Sequence, residues 1–474
     1  MPLRRGALGA AVLLLLAAAC AKSGSETSSV DAAAQPMLEA GIGDAPPDGS
    51  FLDGTVETGA EAAADASLDA GADVAEDSAP DAPIDAPPTS ADAPVDVAVD
   101  GDAPGTPTAC IDGSPILYAR TACPGSPLTP PSALVASAVS ASRGDVLSLG
   151  GLAEPQAPCA PVIVCTAAAA PTMIFSDDPE SPSSDGVLYA DVIGPGAFRV
   201  YVYHSNGGSA LRKFPVVLLN QGSQDVNAVI GPKGVAGPGT DYVAIGKSAI
   251  TAWMGAATTT SLVVPAGQRV LFDSDLDGVH TSSSELAHAI IDFTLDGPVK
   301  LSVVSVGASE DAATVTAGLS LLPDDQLHQR GTFPGAMRLV QTTTPLDGAG
   351  IRRLTFGDGV SDLNLTGNDA VDQKTVSLGG NYGLVYALTL GVGVDTAFLV
   401  APQGGAWGGG AVVAAGADGA QGIVALPAAT DSLGSQSQAI LLGRFAAQSS
   451  PVTATFISAG GSNLPIDVAA VPVP

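Results

Sequence analysis

The chain has 474 residues, 48 acidic against 18 basic side chains, and a formal net charge of −30. That balance excludes nucleic acid as a partner, because phosphates need a basic surface. Aromatic residues make up only 4%, so the apolar interior has to be built largely from small and β-branched side chains.

Residues 1–19 read as a secretory signal. Arg4 and Arg5 precede an apolar run, Ala7 to Ala19, which is shorter than the roughly 20 residues a bilayer span needs. Cys20 follows three alanines and resembles the acylated cysteine of a bacterial lipobox. By the same resemblance, Ala21 and Lys22 after the cysteine imply the outer membrane or cell surface. The expectation is a membrane partner reached through an N-terminal lipid.

Residues 20–108 differ in texture from the rest of the chain. Nineteen acids and one base, Lys22, lie between Ala21 and Thr108, among Ala, Pro, Gly and Ser. Such a run cannot bury enough apolar surface to offset its ordering entropy, and its charges repel. It reads as a lipidated, disordered acidic tether with a reach of roughly 50 Å or more.

Five cysteines are present. Assigning Cys20 to lipid leaves an even set, Cys110, Cys123, Cys159 and Cys165, in an oxidising setting. Four cysteines allow three pairings; the locally simplest is Cys110–Cys123 with Cys159–Cys165. Residues 109–170 are read as a disulfide-stapled segment leading into the body.

Beyond it, short apolar runs alternate with Gly, Pro, Asn and Asp. "FRVYVYHSNGG", "FPVVLLNQGSQDVNAVIG", "DGPVKLSVVSVG", "TAFLVAP", "GAVVAAG" and "PVTATFISAGG" read as strands. The predicted fold is all-β: two β-sandwich, jelly-roll-like lobes at 171–325 and 326–474, divided where "LLPDDQLHQRGTFPGAMRLVQTTTP" breaks the strand rhythm. No helical period longer than a turn or two is evident.

Enzyme motifs fail on spacing. Gly246-Lys247-Ser248 ends like a phosphate-binding loop, but Asp241 stands where its first glycine belongs. Glu285 and His288 have zincin spacing, with Ser284 in place of the first histidine. "FSDDPE" supplies Asp177, Asp178 and Glu180, a carboxylate cluster that a polysaccharide-active enzyme would need to complete across a cleft. The alternative is a solvated turn. No catalytic motif is complete, and the chain is not read as an enzyme. Only Trp253 and Trp407 could form a sugar platform.

In "LFDSDLDGVHTSSSE", Asp273, Asp275, Asp277 and Gly278 have the spacing of a calcium loop, since calcium takes six to eight oxygens around a sharp turn. Ser284 at the twelfth position and strand-like flanks exclude a helix–loop–helix hand. A β-loop calcium site remains a candidate, beside a plain polar connection. His204 and Asn206, ending "YVYHSNG", are the first candidates for a binding groove; turn chemistry is the alternative.

"FSDDPE", "GVLYADVIGPGAFRVYVYHSNG", "VVLLNQG", "DYVAIG", "RGTFPGA", "LGGNYGLVYALTL", "APQGG" and "GGSNLPI" follow one another in this order. Together they resemble a bacterial exported-protein family of unknown function, found in cyanobacterial and Gram-positive secreted proteins, sometimes beside copper-amine-oxidase-like domains. The resemblance spans about Thr172 to Pro474. It implies export and carries neither an activity nor a catalytic residue. The functional expectation is a surface-anchored lipoprotein acting as an envelope binding or structural module, with cell-wall or extracellular polysaccharide or protein as partner.

Overall fold

The computed structural model describes residues 108–120, 128–152, 157–413 and 422–474. The leader, Cys20, the acidic run through residue 107 and Cys123 lie outside the described residues. The body is all-β, built as two β-sandwiches.

In the first sandwich an eight-stranded sheet runs in the order Thr260–Val264, Val226–Ala236, Leu286–Leu295, Gly196–Ser205, Thr172–Ser176, Arg330–Phe333, Leu365–Asp369 and Lys374–Leu378. It packs on a smaller sheet of Arg269–Leu271, Val216–Leu219, Val299–Gly307 and Gly186–Ile193. Their shared core holds Ile174, Leu188, Val200, Val202, Phe214, Ile291 and Leu301. In the second sandwich a seven-stranded sheet that includes Val162–Thr166, Met337–Thr342, Val385–Val392 and Gln448–Ser458 faces a five-stranded sheet centred on Thr396–Pro402 and Ile466–Pro472. Helix Ser132–Ser140 covers the outer face of that second sheet through Leu134 and Ala138.

The sheets do not divide at residues 325–326. Arg330–Phe333, Leu365–Asp369 and Lys374–Leu378 join the first sandwich, because Arg330 pairs opposite Ser176 and the strands beyond it continue that ladder. Nor does 109–170 merely lead into the body: Ile116–Arg120 and Val162–Thr166 pair in the seven-stranded sheet. The disulfide there joins Cys110 to Cys165, which rules out both local pairings. Cys165 lies on a buried strand whose partner strand follows Cys110, so sheet pairing brings together two residues 55 apart in sequence. Cys159 is also disulfide-bonded.

"FPVVLLNQGSQDVNAVIG" does give two strands, but Val216–Leu219 and Val226–Ala236 belong to opposite sheets. The larger departure from expectation is a 14-residue helix, Tyr242–Gly255. Asp241 caps it, its carboxylate accepting from the Ala244 amide at 3.0 Å. Val243, Gly246, Ile250 and Trp253 are buried at near-helical spacing. The helix lies against Val226–Ala236 so closely that a Cβ on Gly234 would stand 1.8 Å from the Ala249 carbonyl. Gly246 is therefore a helix-packing glycine, and Lys247 donates to the carbonyls of Pro427 and Thr430.

Strand Gly196–Ser205 carries the link between the two sandwiches. Its even residues, Phe198, Val200 and Val202, enter the first core. Its odd residues, Tyr201 and Tyr203, enter the largest core with Phe175, Ile250, Phe333 and Phe456. Successive side chains point to opposite faces, so one strand serves two cores.

Replacing the cap, Asp241→Ala, is expected to cost about 1 kcal/mol. Urea unfolding should show a lower midpoint with an unchanged slope.

Candidate functional site

The strand alternation that separates the cores also builds a cavity. On Thr172–Ser176, Met173 and Phe175 face the same way as Tyr201 on the parallel neighbour, with Phe175 registered beside Tyr201. Their rings stack at 4.9 Å. Asp177, two residues on, continues that face. Across the antiparallel pair, His288 lies opposite Tyr203 and Ile290 opposite Tyr201. Past the strand ends, a cavity of about 470 Å³ is bounded by Asp177, Glu180, Tyr201, Tyr203, Tyr242, His328, Tyr382 and the turn Gly460–Leu464.

Two glycines let that turn pack directly against the tyrosines. A Cβ on Gly460 would stand 2.4 Å from the Tyr203 ring and 2.7 Å from the Tyr201 hydroxyl. One on Gly461, at φ +74°, would stand 2.6 Å from the Tyr203 hydroxyl. Tyr382 is fixed by donating to the Ser462 carbonyl at 2.6 Å.

The acids of "FSDDPE" divide by parity. Asp178 turns inward to Arg330, with Arg330 Nε 3.7 Å from Asp178 Oδ2 and 3.2 Å from Asp369 Oδ2. Asp178 also accepts from the Asp325 amide at 2.8 Å, which draws the loop 324–328 over the cluster. Asp177 faces the cavity, and its Oδ1 is buried without a hydrogen-bond partner. Burial, with Glu180, Asp325 and Asp178 nearby, holds the Asp177 carboxyl well above the usual carboxylate range. Burial likewise raises Glu180.

His328 bridges two carboxylates: Nε2 lies 2.9 Å from Glu180 Oε2 and Nδ1 2.7 Å from Asp325 Oδ2. Although burial opposes it, amide donors from Glu180, His328 and Leu327 and the His328 ring hold Asp325 down at about 2. Glu180–His328–Asp325 is thus a hydrogen-bonded chain running from the cavity wall into the loop, able to pass a proton between its ends. The Tyr201 and Tyr203 hydroxyls are buried and unpartnered. Burial, then Asp177's charge, raises Tyr201; burial pushes Tyr382 to about 12, with Asp177 adding to it.

His204 and Asn206, the sequence candidates for a groove, are both 0% exposed. His204 is on the even face and points into the first sandwich, bonded to Ser176 Oγ at 2.8 Å and the Pro179 carbonyl at 2.9 Å. Burial pushes it down to about 3. Asn206 holds its turn together through the carbonyls of Ala210 and Thr281. The neighbours on the opposite face, Tyr201 and Tyr203, reach the cavity instead. Trp253 and Trp407 are buried and form no platform; Arg199 stacks 4.5 Å over Trp253.

The aspartate run takes the role of a cap. Asp273 accepts from the amides of Asp275 and Leu276 at 3.1 and 3.0 Å, starting the short helix Ser274–Asp277. Lys233 Nζ lies 2.7 Å from both Asp273 Oδ2 and Asp275 Oδ2, and Lys213 Nζ lies 2.8 Å from Asp277 Oδ1. Ammonium groups from two other strands thus stand where a calcium ion would have to bind these oxygens. No cluster of three or more His, Cys, Asp or Glu suited to a metal occurs among the described residues.

A second cavity, about 340 Å³, is lined by Tyr118, Arg120 and Arg353. Its arginines are engaged: Arg120 with the Thr355 carbonyl and Asp362, Arg353 with Thr355 and Asp467.

No family model and no curated protein matches the chain. Among solved structures, it is similar to the PBSX exported protein XepA, with 13% identity over 61% of this chain and 86% of that one, TM-score 0.14. Lactobacillus farciminis oxalate decarboxylase gives 9% identity over 70% and 87%, TM-score 0.12. Momordica charantia 7S globulin gives 10% over 58% and 72%, TM-score 0.11. Likeness at this level carries no argument about activity, and the site is read from its own residues.

Two outcomes are expected. Because the fold favours protonated Asp177, its stabilising share is full below about pH 4, the ordinary carboxylate range, and is lost as pH rises through the raised value. Asp177→Asn, permanently neutral, should melt with the wild type at pH 4 and above it at pH 8; equal melting at both refutes the assignment. Added calcium should leave the melting temperatures of wild type and Asp275→Ala unshifted; a rise in the wild type alone would restore the calcium site.

Proposed function

We propose that this is an exported, lipid-anchored protein of the outer membrane or cell surface, and that the tyrosine–carboxylate cavity binds cell-wall or extracellular polysaccharide. One observation carries the binding reading. The cavity gathers segments far apart in the chain, and in it buried polar groups, Asp177 Oδ1 and the Tyr201 and Tyr203 hydroxyls, have no partner within the protein. Buried polar groups are nearly always hydrogen-bonded, so an outside ligand rich in hydroxyls would complete them. Five of the segments that carry the family resemblance line it: "FSDDPE", "FRVYVYHSNG", "DYVAIG", "LGGNYG" and "GGSNLPI". Export and anchoring rest on the leader and Cys20.

One feature favours a second reading, a polysaccharide-active enzyme. Asp177, whose carboxyl burial and its acidic neighbours hold above the usual carboxylate range, and the Glu180–His328–Asp325 chain put an acid and a base in one cavity. Asp177 would protonate the leaving oxygen and Glu180 would deprotonate the attacking water.

The test is a panel of cell-wall and extracellular glycans titrated against the body, 109–474, with reducing ends assayed after incubation. Binding lost in Tyr203→Phe without new reducing ends supports the module; new ends lost in Asp177→Asn support the enzyme; no binding removes both. For the anchor, Cys20→Ser should be released as soluble protein, and retention on membranes would overturn the lipid assignment.

A further inference from the structure

The chain Glu180–His328–Asp325 holds one proton more than a neutral ring can supply. His328 Nδ1 lies 2.7 Å from Asp325 Oδ2, and Nε2 lies 2.9 Å from Glu180 Oε2. Each contact needs a proton between nitrogen and oxygen. A carboxylate brings none and a neutral imidazole brings one. An imidazole is ordinarily the stronger base, about 6.5 against about 4.3 for a Glu carboxylate, so the extra proton belongs on the ring. His328 is then an imidazolium between two carboxylates.

The surroundings favour that charge. Asp177 and Asp178 share a segment with Glu180, and Asp324 precedes Asp325. The other cations are already engaged: Arg330 with Asp178, Asp369 and Asp372, and Lys374 with Asp324 and Asp372. His204, the other ring near this segment, is kept neutral by burial, which pushes it down to about 3. The His328 side chain is 34% exposed and that of Glu180 22%, so the proton exchanges with solvent.

When the proton leaves, the two contacts do not fail alike. The Asp325 carboxylate also accepts from the amides of Glu180, Leu327 and His328. It stays anionic and keeps Nδ1–H. Nε2 then turns a lone pair toward the Glu180 oxygen, and that contact becomes repulsive. The loop backbone is anchored separately, because the Asp325 amide donates to Asp178 Oδ1 at 2.8 Å and the Asp177 amide donates to the Gln329 carbonyl at 3.2 Å. What parts is the Glu180–His328 contact, and both residues bound the cavity.

We propose that Glu180 and His328 form a proton-operated clasp in the cavity wall, closed while both ring nitrogens carry protons and opened on the Glu180 side as pH rises. The opening falls in the range where an imidazole changes charge, about pH 5 to 8. It frees Glu180 as a charged acceptor at the cavity. That the clasp regulates a ligand rests on the cavity being the binding site; the clasp itself does not.

The test follows the histidine ring nitrogens of the full chain by NMR. His328 should carry protons on both nitrogens at about pH 5 and on Nδ1 alone at about pH 9. A neutral, soluble paramagnetic probe should broaden the His328 ring more strongly at the higher pH, with exposed His280 as the reference. Glu180→Gln offers an amide that can donate to Nε2 of the neutral ring or accept from the charged one. Its ring should therefore stay shielded at both pH values, and its protonation step should move down by at least about one pH unit, the scale of a charge-assisted hydrogen bond. A neutral His328 at pH 5, a proton on Nε2 alone at pH 9, equal broadening at both pH values, or an unchanged step in Glu180→Gln overturns the proposal. The wild-type readings decide by themselves if the variant does not fold. No glycan enters these measurements, so a failed clasp leaves the binding function standing, and a glycan panel without a binder leaves the clasp.

Discussion

A strand with one face in water can place its polar side chains there; strand Gly196–Ser205, covered on both faces from Phe198 to Ser205, has no such side. Its arginine and histidine are matched inside the protein. Arg199 meets Asp292, directly opposite in the ladder, at 2.7 Å, and donates to the carbonyls of Ala336 and Gly383. His204 meets Ser176 and the Pro179 carbonyl. A slip of one residue would exchange the two faces, setting Arg199 opposite Ile291 and sending the tyrosines into the first core. The polar pairs therefore fix the register, and the register fixes what faces the cavity.

Arg330 does for the acidic loop what Arg199 does for the strand. Its guanidinium collects Asp178, Asp369 and Asp372 and the carbonyls of Asp178, Leu188 and Leu322. Breaking a buried pair by removing one partner is typically worth about 3–5 kcal/mol, because a charge is left stranded. With Asp178 committed to this cluster, Asp177 is left to face the other way. The same loop ties Asp325 to Asp178 and Glu180 through amide donors, which sets His328 between two carboxylates. The cavity's unusual chemistry is thus a by-product of an ion cluster one residue away.

Much of the fold was legible. Alternating apolar runs gave strands at "FRVYVYHSNG", "DGPVKLSVVSVG" and "TAFLVAP", and these are the strands Gly196–Ser205, Val299–Gly307 and Thr396–Pro402. Helix Tyr242–Gly255 was missed although its signals are present: Asp241 before it, and burial at 243, 246, 250 and 253. Its Val, Ile, Thr and Gly content reads as strand, and packing against Val226–Ala236 outweighs that propensity. Partners distant in sequence could not be read. Nothing local says that Arg330, 152 residues away, claims Asp178, that Lys233 crosses to Asp273 and Asp275, or that Cys110 reaches Cys165. For the site, "FSDDPE" and "YVYHSNG" were the right segments, but strand parity, not composition, selects Asp177 over Asp178 and the tyrosines over His204.

The Cys110–Cys165 bond also decides how the body would bear a pull from its N-terminal side. Without it, tension would enter at Ile116–Arg120, an edge strand held by one neighbour, and peel it away one hydrogen-bonded pair at a time. With it, the load passes covalently from Cys110 to Cys165 before that strand is reached. Val162–Thr166 is paired on both sides, so force is delivered into the interior of the sheet and shared between two ladders. The edge strand is bypassed and need carry no load.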